Sequence, residues 1–169
     1  MEILLWTIGF AGKTAEEFFQ LLETAEVKRV VDTRQHRGGQ LSGFAKHPDL
    51  AYFLEKVAHI GYSHELALAP TPELLKTYRE TKDWPAYEIG FLDLMRERGI
   101  PQSLDVNAWP ARAALLCSEP GPEKCHRRLV ADLLAAHWRT QGHIVEIRHL
   151  IAARAKSSKP PRKKPKPVP

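Results

Sequence analysis

Apolar and polar positions alternate between two regimes along this chain. Ile3-Leu4-Leu5-Trp6-Thr7-Ile8 is a nearly continuous apolar run closed by Gly9, as expected of a strand buried on both faces. Thr14-Ala15-Glu16-Glu17 has the form of a capping box, and Phe18, Leu21, Leu22 and Ala25 follow at helical spacing. Arg29-Val30-Val31-Asp32 reads as a second strand, so the opening segment predicts a right-handed strand–helix–strand unit with parallel strands. A polar, glycine-containing loop follows over 33–46. A helix is expected from Leu50, Phe53, Leu54 and Val57, with Pro48 near its first turn.

The second half continues the alternation. Residues 62–68 read as a short strand and 72–80 as a helix. Tyr87, Phe91, Leu94 and Met95 mark another helix, stopped by Gly99 and Pro101. Ala113-Ala114-Leu115-Leu116-Cys117 is a second buried-type strand, broken by Pro120-Gly121-Pro122. The next helix is predicted to start near Pro122, with Leu129, Val130, Leu133, Leu134 and His137 on one face, and residues 144–147 give a last strand. The expected fold is α/β, a single three-layer domain over residues 1–153 with a mainly parallel sheet. No repeat is evident.

Composition changes after Ile151. Residues 154–169 are rich in proline and lysine and read as a disordered basic tail. Charge follows the same division. The chain carries a formal +5, but seven basic residues and no acids fall from Arg154 onward. The remainder holds 18 basic residues against 20 acidic ones, a balance of −2. The basic character therefore belongs to the tail, which is expected to contact nucleic acid weakly and without sequence preference, rather than to a basic groove on the domain. The two cysteines, Cys117 and Cys125, are too few for a disulfide scaffold. No run reaches the 18 apolar residues of a membrane span. The opening run has no basic leader and no small-residue cleavage site, and reads as a strand rather than a signal peptide. The expectation is a cytoplasmic protein with no membrane partner.

Candidate chemistry collects at the strand ends. In open parallel sheets ligands bind beyond the carboxyl edge of the strands. Thr7-Ile8-Gly9, Asp32-Thr33-Arg34 and Cys117-Ser118-Glu119 all end strands, and the helix after Pro122 would aim its free N–H groups at the same edge, favouring an anion. Arg34 and Arg127 carry planar guanidinium groups suited to phosphate. Asp32 reads equally as an acid–base group or as a structural partner of Arg34 or Arg29. Glu119 reads as a general acid or base, with a cap or an ion pair to Arg127 or Arg128 as the alternative. Cys117 fits a small core residue better than a nucleophile. Cys125, read in the first turn of a helix, could have a lowered thiol pKa or simply be buried. His126 shares a stripe with Leu129 and Val130 and faces the expected cleft, so both a core and a site reading stand. The Cys/His spacing is not that of a structural zinc site, and no metal or other cofactor is expected. Gly9-Phe10-Ala11-Gly12-Lys13-Thr14 resembles a phosphate-binding P-loop but has only two residues between its glycines, so nucleoside-triphosphate hydrolysis is rejected.

Thr7-Ile8-Gly9, Asp32-Thr33-Arg34, Phe44-Ala45-Lys46 and Leu116-Cys117-Ser118-Glu119 with Cys125-His126-Arg127 resemble the domain of unknown function 488 family. The last element is the specific one. The resemblance runs over roughly residues 3–150 and departs from the family pattern at Thr33, at Phe10-Ala11 and at Ala67-Leu68-Ala69. It implies an α/β fold and a site of undefined activity. The candidate catalytic residues are then Asp32, Glu119, Cys125 and His126, and the candidate substrate-binding residues Thr7, Gly9, Arg34, Lys46, Cys117 and Arg127. The expected function is metal-independent hydrolysis or group transfer on a phosphate-bearing substrate, a nucleotide or nucleic acid. The alternatives are a non-catalytic nucleic-acid-binding module and a thiol-dependent enzyme.

Overall fold

A computed structural model describes residues 1–38 and 42–152. The predicted tail lies outside the described residues. The elements run β1 (Glu2–Gly9), α1 (Ala15–Thr24), β2 (Arg29–Asp32), α2 (Asp49–Tyr52), β3 (Gly61–His64), α3 (Pro72–Thr81), α4 (Trp84–Glu97), β4 (Arg112–Cys117), α5 (His126–Thr140) and β5 (Ile144–Leu150). The five strands form one sheet in the order β3-β2-β4-β1-β5, and every pairing is parallel. β4 sits between β1 and β2, pairing Trp6 with Ala114 on one side and Val30 with Ala114 on the other.

Two apolar layers explain why β1 and β4 are apolar throughout. Ile3, Leu5, Ala113 and Leu115 pack under Phe91 and Met95 of α4 and Leu129, Leu134 and Trp138 of α5. Trp6, Ile8, Ala114 and Leu116 pack on the other face, against Phe18 and Leu22 of α1 and Leu50 of α2. Alternate residues of each strand thus serve opposite layers, which gives the predicted three-layer α/β arrangement. Fully burying one such Leu or Phe side chain contributes about 1.5–3 kcal/mol.

Local signals set the helix ends. The Thr14 hydroxyl accepts from the Glu17 N–H at 3.1 Å while the Glu17 carboxylate accepts from the Thr14 N–H at 2.8 Å, the reciprocal cap expected from the sequence. Thr71 caps α3 and Asp83 caps α4 through their side chains, each followed by a proline in the first turn. Gly99, at φ 68°, closes α4.

Three expectations are corrected. The strand expected over 62–68 ends at His64, and the chain turns through a 3₁₀ segment, Leu66–Leu68, that buries Leu68 in the α4–α5 layer. α2 continues into a π-helical turn, Phe53–Val57, in which the Ala58 N–H bonds to the Phe53 carbonyl. The wider turn shifts the phase of the helix, so Val57 is exposed although its spacing predicts burial. α5 starts at His126, not near Pro122: the chain stays irregular through Glu123 and Lys124, and Cys125 is the extended N-cap residue (φ −142°, ψ 135°) rather than part of the first turn.

Candidate functional site

The parallel register brings the three strand ends together. Gly9 lies beside Cys117, and Asp32 beside Leu116. Beyond this edge lies a cleft of about 680 Å³. It is lined by Phe10, Gly12, Arg34, Ser118, Glu119 and His126, together with Pro70 and, from α3, Leu75 and Arg79. Gln35, His36 and Ser42, from the loop after β2, complete it.

Asp32 and Arg34 form the first group. Both are buried. One Asp32 oxygen accepts from the Arg34 backbone N–H at 3.1 Å and from Nε at 2.8 Å; the other accepts from Arg34 Nη2 at 2.6 Å and from the Tyr62 hydroxyl at 2.8 Å. A carboxylate offers about four acceptor sites, and here all are taken. Arg34 Nη1 donates to the Ala45 carbonyl at 2.8 Å, and the guanidinium lies over the Phe10 ring. The pair fixes the β2 end and the following loop to each other. Burial pushes the Tyr62 hydroxyl up, and the neighbouring Asp32 carboxylate adds to the shift.

His126 forms the second group. Its Nε2 stands 3.0 Å from both the carbonyl oxygen and Oγ1 of Thr33. A carbonyl can only accept, and the Thr33 hydroxyl proton is directed to the Leu116 carbonyl at 2.9 Å. Nε2 therefore carries the proton, and in the neutral ring Nδ1 is a bare acceptor. Burial, reinforced by the Arg127 charge, pushes the His126 pKa down to about 4. The ring is neutral at physiological pH, orientated by Thr33 and set in the cleft wall.

Arg127 centres the third group. Its guanidinium is fully buried. Nη1 reaches Cys117 Sγ at 2.5 Å, the Glu119 carbonyl at 2.8 Å and Cys125 Sγ at 3.4 Å. Nε donates to Thr7 Oγ1 at 3.3 Å, which also lies 2.8 Å from His149 Nδ1. Nη2 is buried with no hydrogen-bond partner. The two sulfurs stand 2.9 Å apart, and both cysteines are free. Burial pushes the Cys117 thiol up, but the Cys125 S–H, the Arg127 charge and the Glu119 N–H together bring it below its ordinary value. Cys125 moves the other way, through burial and the adjacent Cys117. Of the two sulfurs, Cys117 is the one that Arg127 favours as the thiolate.

The structure thus divides the sequence-derived candidates. Arg34, Glu119 and His126 line the cleft; Asp32, Thr7, Gly9, Cys117, Cys125 and Arg127 stand behind its wall and position it. Glu119 is exposed, and its backbone, not its carboxylate, meets Arg127. Arg128 pairs instead with Glu88 and Asp132. Lys46 is exposed and does not line the cleft. Sequence reasoning passed over Arg79, which reaches the site from α3, and Thr33, which fixes the His126 tautomer. It also treated Lys13 only as a failed P-loop position. Lys13 is largely buried, and burial together with the Arg127 charge lowers its pKa. Among the described residues no group of three or more His, Cys, Asp or Glu side chains could hold a metal ion, and no helix is long and apolar enough to cross a membrane.

A parallel α/β domain with a cleft at its carboxyl edge is the class that fold and site define. A sequence profile described as "Domain of unknown function DUF488" matches residues 14–134, and the chain belongs to that family. No curated protein and no solved structure matches it significantly.

Proposed function

We propose that the cleft binds a phosphate-bearing compound of mononucleotide size and catalyses hydrolysis or group transfer on it. The observation that carries this reading is that the cleft is lined by the Arg79 guanidinium and the neutral His126 ring together with one carboxylate, Glu119. Arg34 is committed to Asp32, so Arg79 is the arginine left to meet an anion in the cleft. Phe10, Pro70 and Leu75 supply apolar surface for a base or another ring. A volume of about 680 Å³ lies within the usual range of small-ligand pockets. It fits a monomer better than a folded polymer.

The roles follow from protonation. His126 Nδ1 accepts a hydrogen bond from a substrate N–H or O–H and orients it, because a ring with a pKa near 4 stays neutral. Glu119, at the water-exposed rim, is the group able to exchange a proton with an attacking water or hydroxyl. The thiols stand behind the wall and take no part. Binding of nucleoside monophosphates and of inorganic phosphate, followed by calorimetry, tests the reading. Wild type should bind a nucleoside monophosphate. Arg79→Ala should weaken it about tenfold, the loss of one charge-assisted contact of about 1.5 kcal/mol. Absence of binding by every phosphate compound, or binding unchanged in Arg79→Ala and His126→Gln, overturns it.

A further inference from the structure

We propose that Cys117 and Cys125 form a reversible dithiol–disulfide site, closed by a hydroperoxide and reopened by a thiol reductant. The inference is independent of the reaction assigned to the cleft. Three observations carry it. The sulfurs lie 2.9 Å apart and are free, so closure to a bond of about 2.05 Å needs only a small movement. Cys125 is the N-cap residue of α5, preceded by the irregular Glu123–Lys124 segment, so its backbone is not locked within a helix. Arg127 Nη1 touches Cys117 Sγ at 2.5 Å and Cys125 Sγ at 3.4 Å, a cation placed to hold one thiolate between two thiols. The protonation pattern agrees, with the Cys117 thiol lowered and Cys125 raised.

The chemistry balances with one equivalent of peroxide. Cys117 gives its proton to solvent, its thiolate attacks a peroxide oxygen, the O–O bond breaks, and the leaving hydroxide takes a proton back from solvent to become water. Cys117 is then a sulfenic acid. Cys125 sulfur attacks the Cys117 sulfur, the S–O bond breaks, and the departing hydroxide takes the Cys125 proton as a second water. Two thiols have lost two electrons and two protons, and the peroxide has gained them. Both sulfurs are buried, which excludes bulky oxidants. Ser118 and Glu119 after Cys117, and His126 after Cys125, line the cleft, so the thiols stand immediately behind its wall.

Oxidation also has a structural consequence. It removes Cys117 Sγ as a thiolate partner for Arg127, whose Nη2 already lacks a partner. The guanidinium keeps the Glu119 carbonyl and Thr7 Oγ1. The segment from Ser118 to Cys125 then rearranges, and Glu119 moves with it.

The test uses the wild-type full chain, so no variant has to fold. Reduced protein is treated with hydrogen peroxide under native conditions, quenched, unfolded, alkylated and weighed intact. The expected product is monomeric, lighter by two hydrogens and unalkylated, and it recovers two alkylatable thiols after dithiothreitol. Amide exchange in 118–126 should differ between the two forms. Two alkylated cysteines after a treatment that fully oxidises free cysteine overturn the proposal. So does oxygen uptake on either sulfur without cross-linking, or a disulfide that forms only in denaturant.

Discussion

The carbonyl oxygen of Glu119 occupies the place that a Cβ of residue 9 would take. Gly9 ends β1 with a φ outside the left-handed region, so its role is close approach rather than backbone freedom. The loop after β4 crosses directly over this glycine to bring Glu119 to the cleft and its carbonyl to Arg127. Gly9→Ala forces backbone against backbone. We expect a loss of about 3 kcal/mol or more, the upper range for overpacking. Urea unfolding of the variant reads it directly; a change under about 1 kcal/mol would show that the loop yields freely.

Removing the Asp32 carboxylate leaves the Arg34 charge buried without its counter-ion. Breaking a buried pair at one partner costs about 3–5 kcal/mol, and Asp32→Ala should fall in that range. Tyr62→Phe deletes only one of the four hydrogen bonds to Asp32 and should cost about 1 kcal/mol. If the two variants lose equal stability by chemical denaturation, the pair is not what secures the loop after β2.

His126 makes stability depend on pH with a defined sign. Its folded pKa is about 4 against 6.5 for the free side chain. Between these values the unfolded chain binds the proton and the folded one does not, so stability rises with pH in this window. The contribution is fully present above pH 6.5 and is lost as pH falls towards 4. At about 1.4 kcal/mol per pH unit the total is on the order of 3 kcal/mol. His149, lowered by burial and the Arg127 charge, acts in the same direction. Unfolding midpoints at pH 7, 5.5 and 4 should fall steeply for wild type and less steeply for His126→Gln. Parallel curves would remove the burial argument.

The seven basic residues from Arg154 onward lead us to propose that weak nucleic-acid contact resides in the tail. Deleting residues 155–169 should leave the melting temperature of the domain unchanged and abolish most retention on duplex DNA at low salt. Each phosphate contacted adds about 0.9 to the slope of log affinity against log salt. Equal affinity and slope before and after deletion would place any such surface on the domain instead.

Much of this arrangement was legible in the residues. The apolar runs at β1 and β4 declared a sheet covered on both sides. The Thr14–Glu17 box marked the start of α1, and Pro72 and Gly99 bounded the α3–α4 pair. Three polar strand ends on parallel strands implied one shared edge. What local pattern could not carry is partnership across the chain. The Asp32–Arg34 pair was one of the readings open at the strand end, but nothing near Asp32 says that Tyr62 joins Arg34 in taking its lone pairs. The insertion of β4 between β1 and β2 follows from long-range packing, and that insertion sets Cys117 beside Gly9. The late start of α5 depends on Cys125 adopting an extended backbone, which residue type does not dictate. Arg79 escaped notice because it sits on an exposed helix face, where arginine is ordinary. Thr33 escaped because its function lies in a hydrogen bond to a residue far away in sequence.

The insertion of β4 has a consequence for synthesis. A ribosome releases β1, α1, β2 and β3 first, and in the finished sheet β1 and β2 are not neighbours. Until Arg112–Cys117 emerges, β1 and β2 each present an unpaired edge and an apolar face, a period in which a nascent chain is open to wrong pairing and to chaperones. The strand that fills the gap also carries Cys117, so joining β1 to β2 and setting Cys117 behind the pocket are one late event, with Cys125, Arg127 and β5 still to follow. A translational pause that keeps Arg112–Cys117 inside the ribosome would prolong that vulnerable state.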